Sequence, residues 1–365
     1  LILLFISCSD TDKQEAEKYL NSGYDKIKLG DYEGGMADFD KAIQIDPNNL
    51  WVYLARGKVK NELKDYEEAI EDYNKAIQIN PNNELAYSGR GDAKIFLDDN
   101  RGAIADFNKA IEIDPDFLKA YKNRGKAKSY LKDYKGAIAD FNKAIEIDPD
   151  FSLAYMYRGK AKFYLEDYKG AIIDQNKAIE IDPDFSEAYY NRGEVKYYLE
   201  DINGALADFS KSIEINPDFS WAYYYRGETK FYLEDYKGAI KEYNKAIQIN
   251  PDFSQAYNSR GDVRYYSGDY EGAIADYSKA IEIDPKISWA YLGRGDAKDE
   301  IKDYKGAIED YNKAIELNPD NGLAYLSRGN AKYTLKDYEG ACLDWSKAGE
   351  KGYSDVYDAL KKNCN

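Results

Sequence analysis

The sequence predicts an all-α fold, an α-solenoid of about ten 34-residue helix-turn-helix units. Three observations carry this expectation. All nine prolines fall on one 34-residue grid, from Pro47 and Pro81 through to Pro285 and Pro319. A period in that range marks stacked supersecondary units, each too small to bury its apolar face alone. Within a copy such as Ser220 to Phe253, apolar residues recur at helical and not alternating spacing, in two runs broken at Asp235-Tyr236 and at Pro251. No linker or low-complexity tract interrupts the pattern, so the 365 residues read as one elongated array.

The chain opens Leu-Ile-Leu-Leu-Phe-Ile-Ser-Cys. The apolar run from Leu1 to Ile6 is too short to span a bilayer. It is similar to the end of a secretory h-region, and Phe5-Ile6-Ser7-Cys8 resembles a bacterial lipobox. That resemblance implies lipidation at Cys8 and residence in the bacterial cell envelope, facing the periplasm or exterior; the competing reading is an ordinary signal fragment with an incidental cysteine. Residues 1–15 are assigned to this remnant and a polar tether, Ser9 to Gln14, without structure. The array then runs over residues 16–355, and residues 356–365 complete a capping helix that starts at Ser354.

In the unit from Ser220, Tyr223, Gly227, Ala239, Tyr243, Ala246 and Pro251 stand in the order and spacing of the tetratricopeptide repeat (TPR) signature. Almost the whole chain resembles this family. The resemblance implies paired antiparallel helices, A and B, wound into a right-handed superhelix whose concave groove, lined by helix A, binds peptides.

Each recurrent residue has a physical reading. Glycine occupies one helix-A site in all ten copies, from Gly23 to Gly329. Each such glycine costs about 1 kcal/mol relative to alanine, so helix B must approach too closely there for a side chain. The acid at every A–B turn, Asp31 to Asp337, is expected to cap helix B. Asp184 with Glu187 reads as a capping box for the next helix A, and Asp116 as a cap of the same kind. Arginine precedes nine of the ten glycines, a basic residue follows each by three, and helix B carries an acid at a matching site. That predicts an interhelical ladder of bidentate ion pairs belonging to the scaffold. Repeat five departs by carrying Gln175 where helix B otherwise has an aromatic ring. In repeat ten, Cys342 and Cys364 are expected to meet if the last helix folds back, as a disulfide in an oxidising compartment.

Composition narrows the function. The net charge of −16 disfavours nucleic acid as a partner, and the absence of histidine removes the commonest general base and zinc ligand. No P-loop, GxGxxG, GxSxG or CxxC motif occurs, and the acidic loop phrase around Pro115 lacks the glycine and closing glutamate of a calcium loop. No catalytic residue, metal or cofactor is expected. What remains is the variable face of helix A, rich in tyrosine. Its candidate groove residues are Tyr164, Tyr190, Tyr198, Tyr224, Tyr232 and Tyr266, with about half of the aromatic residues on this face assigned to packing. One charged register reads Lys58, Asp92, Lys126, Lys160, Glu194, Glu228, Asp262, Asp296 over repeats two to nine; apart from Asp92 it is basic and then acidic, and it predicts an oriented polypeptide ligand. The expected function is thus a non-catalytic protein- or peptide-binding scaffold. A saccharide binder using tyrosine platforms, or an architectural spacer, is the alternative.

Overall fold

The computed structural model describes residues 10–353 and Cys364. Twenty helices, and no strand among the described residues, form ten consecutive A–B hairpins, from Asp10–Lys28 with Tyr32–Ile45 to Gly322–Thr334 with Tyr338–Glu350. They pack as two compact units of five repeats, divided between Pro183 and Asp184. The boundary phrase Pro183-Asp184-Phe185 is the one found at Pro217 and Pro251, so the repeat pattern does not announce it.

The hairpin core is small residues around one ring. In repeat seven, helix A (Ser220–Tyr232) and helix B (Tyr236–Ile249) bury Ala222, Ala239, Ala246 and Tyr243 completely. A Cβ on Gly227 would stand 2.6 Å from Tyr243 Cε1. The close approach behind the recurrent glycine is therefore to the helix-B ring: on Gly125 the Cβ would meet Phe141, also at 2.6 Å. In repeat five the completely buried Gln175 replaces that ring; its Nε2 donates to the Met156 carbonyl, and its Oε1 has no partner.

The ladder between helices is present throughout. Arg124 grips Asp140 through Nε (3.0 Å) and Nη2 (2.5 Å), and Lys128 approaches the same carboxylate at 2.8 Å. Arg124 Nη1 also reaches back to Asn108 on the preceding helix B (2.6 Å), and its guanidinium lies over Tyr121, 5.4 Å from the ring centroid. One arginine thus ties its own hairpin to the previous one. The geometry recurs in both units, for instance at Arg294, Asp310 and Lys298.

The A–B turn places one residue in the left-handed region in every repeat. Glycine fills it at Gly30 and Gly268, and Lys64, Asp98 or Glu234 at equivalent sites carry φ between 59° and 70°. The following aspartate caps helix B as expected, Asp235 accepting from the Gly238 amide at 3.0 Å. Asp65 is the exception, with no side-chain cap bond. It has Glu68 where the other nine repeats place glycine beneath the capping carboxylate.

Two expectations are corrected. Residues 10–14 are helical and not without structure, since helix A of repeat one starts at Asp10, with Asp10 and Asp12 in its first turn where acids favour the helix dipole. Asp184 and Asp116 do not cap helix A. Those helices start at Ser186 and Leu118 with Phe185 and Phe117 at the cap position and no side-chain cap. The loop acid that acts is the earlier one: Asp114 Oδ1 accepts from the Asp116 amide at 3.1 Å, folding the chain around the proline. Cys8 and the predicted capping helix, 354–363, lie outside the described residues. Among the described residues, no helix is long and apolar enough to cross a membrane.

Candidate site: the outer face of helix A

Three registers of helix A decide which residues reach solvent. The last turn presents a ring in six successive repeats: Phe96, Tyr130 and Tyr164 in the first unit, Tyr198, Tyr232 and Tyr266 in the second. All six are 50–65% exposed. Four are among the expected groove residues. Phe96 and Tyr130 are additions, found by stepping back from Tyr164 by 34 and 68 residues. Tyr66 stacks on Phe96 and Tyr134 on Tyr164, centroids 4.7 and 4.9 Å apart, so a ring from the preceding hairpin holds each in place.

Tyr190 and Tyr224 belong to a different register, which faces inward: the expectation is corrected for Tyr190, whereas Tyr224 is partly buried and still lines a cleft. Tyr190 is 9% exposed and packs on Phe209, Phe219 and Tyr225. Tyr224 packs on Tyr243 and Phe253, and burial holds its phenol above the usual tyrosine range. Equivalent positions hold Leu54, Met156 and Leu292, all buried. In two repeats this inward register is long and polar instead, Lys122 and Asn258, and a cleft opens at each.

The cleft in the first unit, about 920 Å³, brings Lys58, Lys119, Lys122 and Lys126 together beside Phe96 and Tyr130. Burial, and then repulsion from Lys126, push the Lys122 ammonium below its ordinary value. Asp92 offsets part of this charge, meeting Lys119 at 2.8 Å and accepting from Asn123 at 2.5 Å. An adjoining cleft of about 640 Å³ is lined by Lys126, Tyr130, Tyr157, Lys160 and Tyr164, with Lys126 Nζ 5.5 Å from the Tyr157 ring centroid.

The cleft in the second unit, about 460 Å³, has Tyr224, Asn258, Asp262, Tyr265, Tyr266, Trp289 and Asp296 in its lining, and no lysine or arginine. Its acids are not free surface charges. Tyr277 donates to Asp262 and Tyr311 to Asp296, at 2.7 and 2.9 Å. Outside the cleft, Tyr243 donates to Glu228 at 2.7 Å and Tyr225 to Glu194 at 3.1 Å. Burial pushes Asp262 and Asp296 up to about 6, against the lowering effect of those hydroxyls. Glu228, Asp262 and Asp296 therefore have a packing cause that sequence reading missed: in repeats seven to nine the helix-B ring is a tyrosine, whose buried hydroxyl needs an acceptor.

At the C-terminal end, Cys342 and Cys364 lie 5.7 Å apart at Cα with their sulfurs in bonding distance. Among the described residues, no cluster of acids, cysteines or histidines has metal-binding form.

Ten helical hairpins in tandem, stitched by arginine and presenting aromatic clefts on helix A, define a helical-repeat scaffold. Comparison with known families makes this specific. Profiles described as TPR repeat match residues 57–94, 159–199, 227–266, 261–298 and 300–336, and others described as tetratricopeptide repeat match 16–49, 39–71, 86–117, 118–151 and 186–219. The chain belongs to the tetratricopeptide repeat family. No curated protein matches the sequence. Solved structures share the fold. A tetratricopeptide repeat protein from Parabacteroides merdae aligns at 20% identity, over 65% of this chain and 94% of its own, with a TM-score of 0.57. The Cut9–Hcn1 hetero-tetramer of the APC/C aligns at 14% identity, over 98% and 85%, with a TM-score of 0.59.

Proposed function

We propose that the protein is a non-catalytic scaffold that binds polypeptide segments along the outer face of helix A. One observation carries this reading: six rings stand at a single register, each at least half exposed, and four of them, Phe96, Tyr130, Tyr164 and Tyr266, border clefts that the rest of the repeat does not fill. Aromatic surface held this far from the core is unusual for a part with no partner. Charge sorts the clefts. The lysines of the first unit suit an acidic segment, with Lys126 and Lys160 as its contacts, and the acids of the second suit a basic one.

Selection from a displayed peptide library, run beside a glycan array, tests the class of ligand. The reading expects peptides rich in aromatic residues and no enriched glycan. Stacking of sugars on the exposed tyrosines would instead give glycan hits, and an architectural spacer would give neither.

Two further features belong to the same reading. Cys8 is the lipidated residue that tethers the array to a bacterial envelope membrane, on the support of the sequence Phe5-Ile6-Ser7-Cys8. Normal processing of a Cys8→Ala variant carrying a complete signal segment would contradict this. Cys342 and Cys364 are a disulfide in the exported protein, and two reactive thiols from this pair in unreduced protein would contradict that.

A further inference from the structure

We propose that the cleft between the helices A of repeats eight and nine, Ser254–Tyr266 and Ser288–Glu300, is a binding site for an organic ammonium group. Asp262 and Asp296 form its anionic floor, and Tyr265, Tyr266 and Trp289 its aromatic walls.

The first argument is the contrast with the protein's other buried acids. Asp276 and Asp310, on the helices B of the same two repeats, are each gripped by an arginine and a second cation within 2.9 Å. Asp262 and Asp296 have only neutral donors: Tyr277 and Asn258 for the first, at 2.7 and 3.1 Å, Tyr311 and Ser327 for the second. Among the described residues, neither has a lysine or arginine within ion-pair distance, and the cleft has none in its lining. Two carboxylates held by hydroxyls and an amide inside an open cavity leave negative charge uncompensated.

The second argument is an orphaned acceptor. Asn258 also lines the cleft. Its Nδ2 donates to Asp262, which fixes the amide's orientation and leaves Oδ1 buried without a partner. This oxygen is closed to water, and an ammonium N–H supplies the missing donor by drawing the Asn258 side chain toward the cavity. The third argument is the walls: Trp289 and Tyr266 are 58% and 65% exposed, and aromatic faces attract alkylammonium ions through their quadrupole. The cavity of about 460 Å³ accommodates such a head group and several methylenes. The site stands on one unit alone and goes beyond the polypeptide reading, because a lysine side chain and a free alkylamine offer it the same chemistry.

The site is pH-sensitive. Both carboxyls sit at about 6, raised chiefly by burial. Glu228 from the preceding helix A raises Asp262 further, and Tyr277 from helix B lowers it. For Asp296, Tyr311 and Ser327 act downward, and Asp299 and Glu300 upward. Tyr224, Tyr243 and Tyr265 also face these acids and stay protonated, their own values being raised. Below pH 6 the floor takes up protons and the counter-charge is lost.

The test is a ligand-observed NMR titration of the full chain with n-butylammonium and with the capped tripeptide acetyl-Gly-Lys-Gly-amide, the ε-acetylated tripeptide serving as the uncharged control. Both cations are expected to bind saturably at pH 7.5 and roughly tenfold or more weakly at pH 5. The uncharged control is expected not to bind. Asp262→Asn with Asp296→Asn keeps acceptors for the tyrosine hydroxyls, so the protein stays folded while binding is lost; Trp289→Leu weakens it separately. Tighter binding of the tripeptide than of the amine identifies a polypeptide source, and equal binding a free amine. Absence of saturable binding at pH 7.5, equal binding of the acetylated control, or binding unchanged in the double asparagine variant overturns the proposal.

Discussion

The Tyr243 hydroxyl donates to Glu228 Oε1 at 2.7 Å, joining a buried helix-B ring to an acid fifteen residues earlier on helix A. The same pairing links Tyr277 to Asp262 and Tyr311 to Asp296, and in repeat ten Trp345 Nε1 donates to Asn330 Oδ1 at 3.0 Å. Where the ring is Phe107, Phe141 or Phe209, there is no hydroxyl to satisfy, and the helix-A partner is free to be Asp92, Lys126 or Glu194. In Tyr277→Phe, Asp262 loses the hydrogen bond that favours its charged form. Its carboxyl, observed by NMR, should then titrate above its present value of about 6. An unchanged titration would show that the hydroxyl does not govern this acid.

Asp262 and Asp296 should make the second unit less stable at neutral pH than it is in acid. Their folded values of about 6 lie above the ordinary 3.8, so the folded state binds more protons than the unfolded chain between those limits. Their contribution to stability rises as pH falls through 6 and is complete below about 4. The ladder carboxylates act in the opposite direction in acid, so the comparison is made against Asp262→Asn with Asp296→Asn. That variant should unfold later than wild type at pH 7.5, by on the order of 3 kcal/mol per site. The advantage should vanish by pH 4, and an advantage independent of pH would contradict the account.

Gly227→Ala should destabilise the hairpin although alanine is the better helix former. Alanine gains about 1 kcal/mol in propensity. Its Cβ, however, would meet the completely buried Tyr243 ring at 2.6 Å, and overpacking of a filled core costs roughly 1–3 kcal/mol. Thermal denaturation should show a net loss that Tyr243→Ala relieves when combined with it. A single variant more stable than wild type would place the cause of the recurrent glycine elsewhere.

The fold was legible because the repeat states its own physics many times over. Nine prolines on one grid, a glycine under each helix-B ring and an acid answering each arginine are coupled constraints that no single residue could show. The site was legible in part. Stepping by 34 residues identifies the exposed ring at Tyr164, Tyr198, Tyr232 and Tyr266, and the same step applied backwards reaches Tyr130 and Phe96. Tyr190 was misplaced because a tyrosine on the helix-A wheel looks alike whether its ring turns inward or outward. The inward register is apparent only from its company, Leu54, Met156 and Leu292. The paired acids were misread for a related reason. Tyr243 and Glu228 lie on different helices, and a wheel drawn for one helix cannot show a hydroxyl arriving from the other.

The central claim is that the exposed rings of helix A are the binding surface. The most direct test is the affinity of a selected aromatic peptide, by fluorescence anisotropy, for wild type and for a variant with Tyr130→Ala, Tyr164→Ala, Tyr198→Ala and Tyr232→Ala. These rings are half exposed or more and lie off the hairpin core, so melting should change little. The account predicts a loss of at least about tenfold in affinity, since an aromatic contact at an interface is worth 1 kcal/mol or more. Undiminished binding by the folded variant would contradict it.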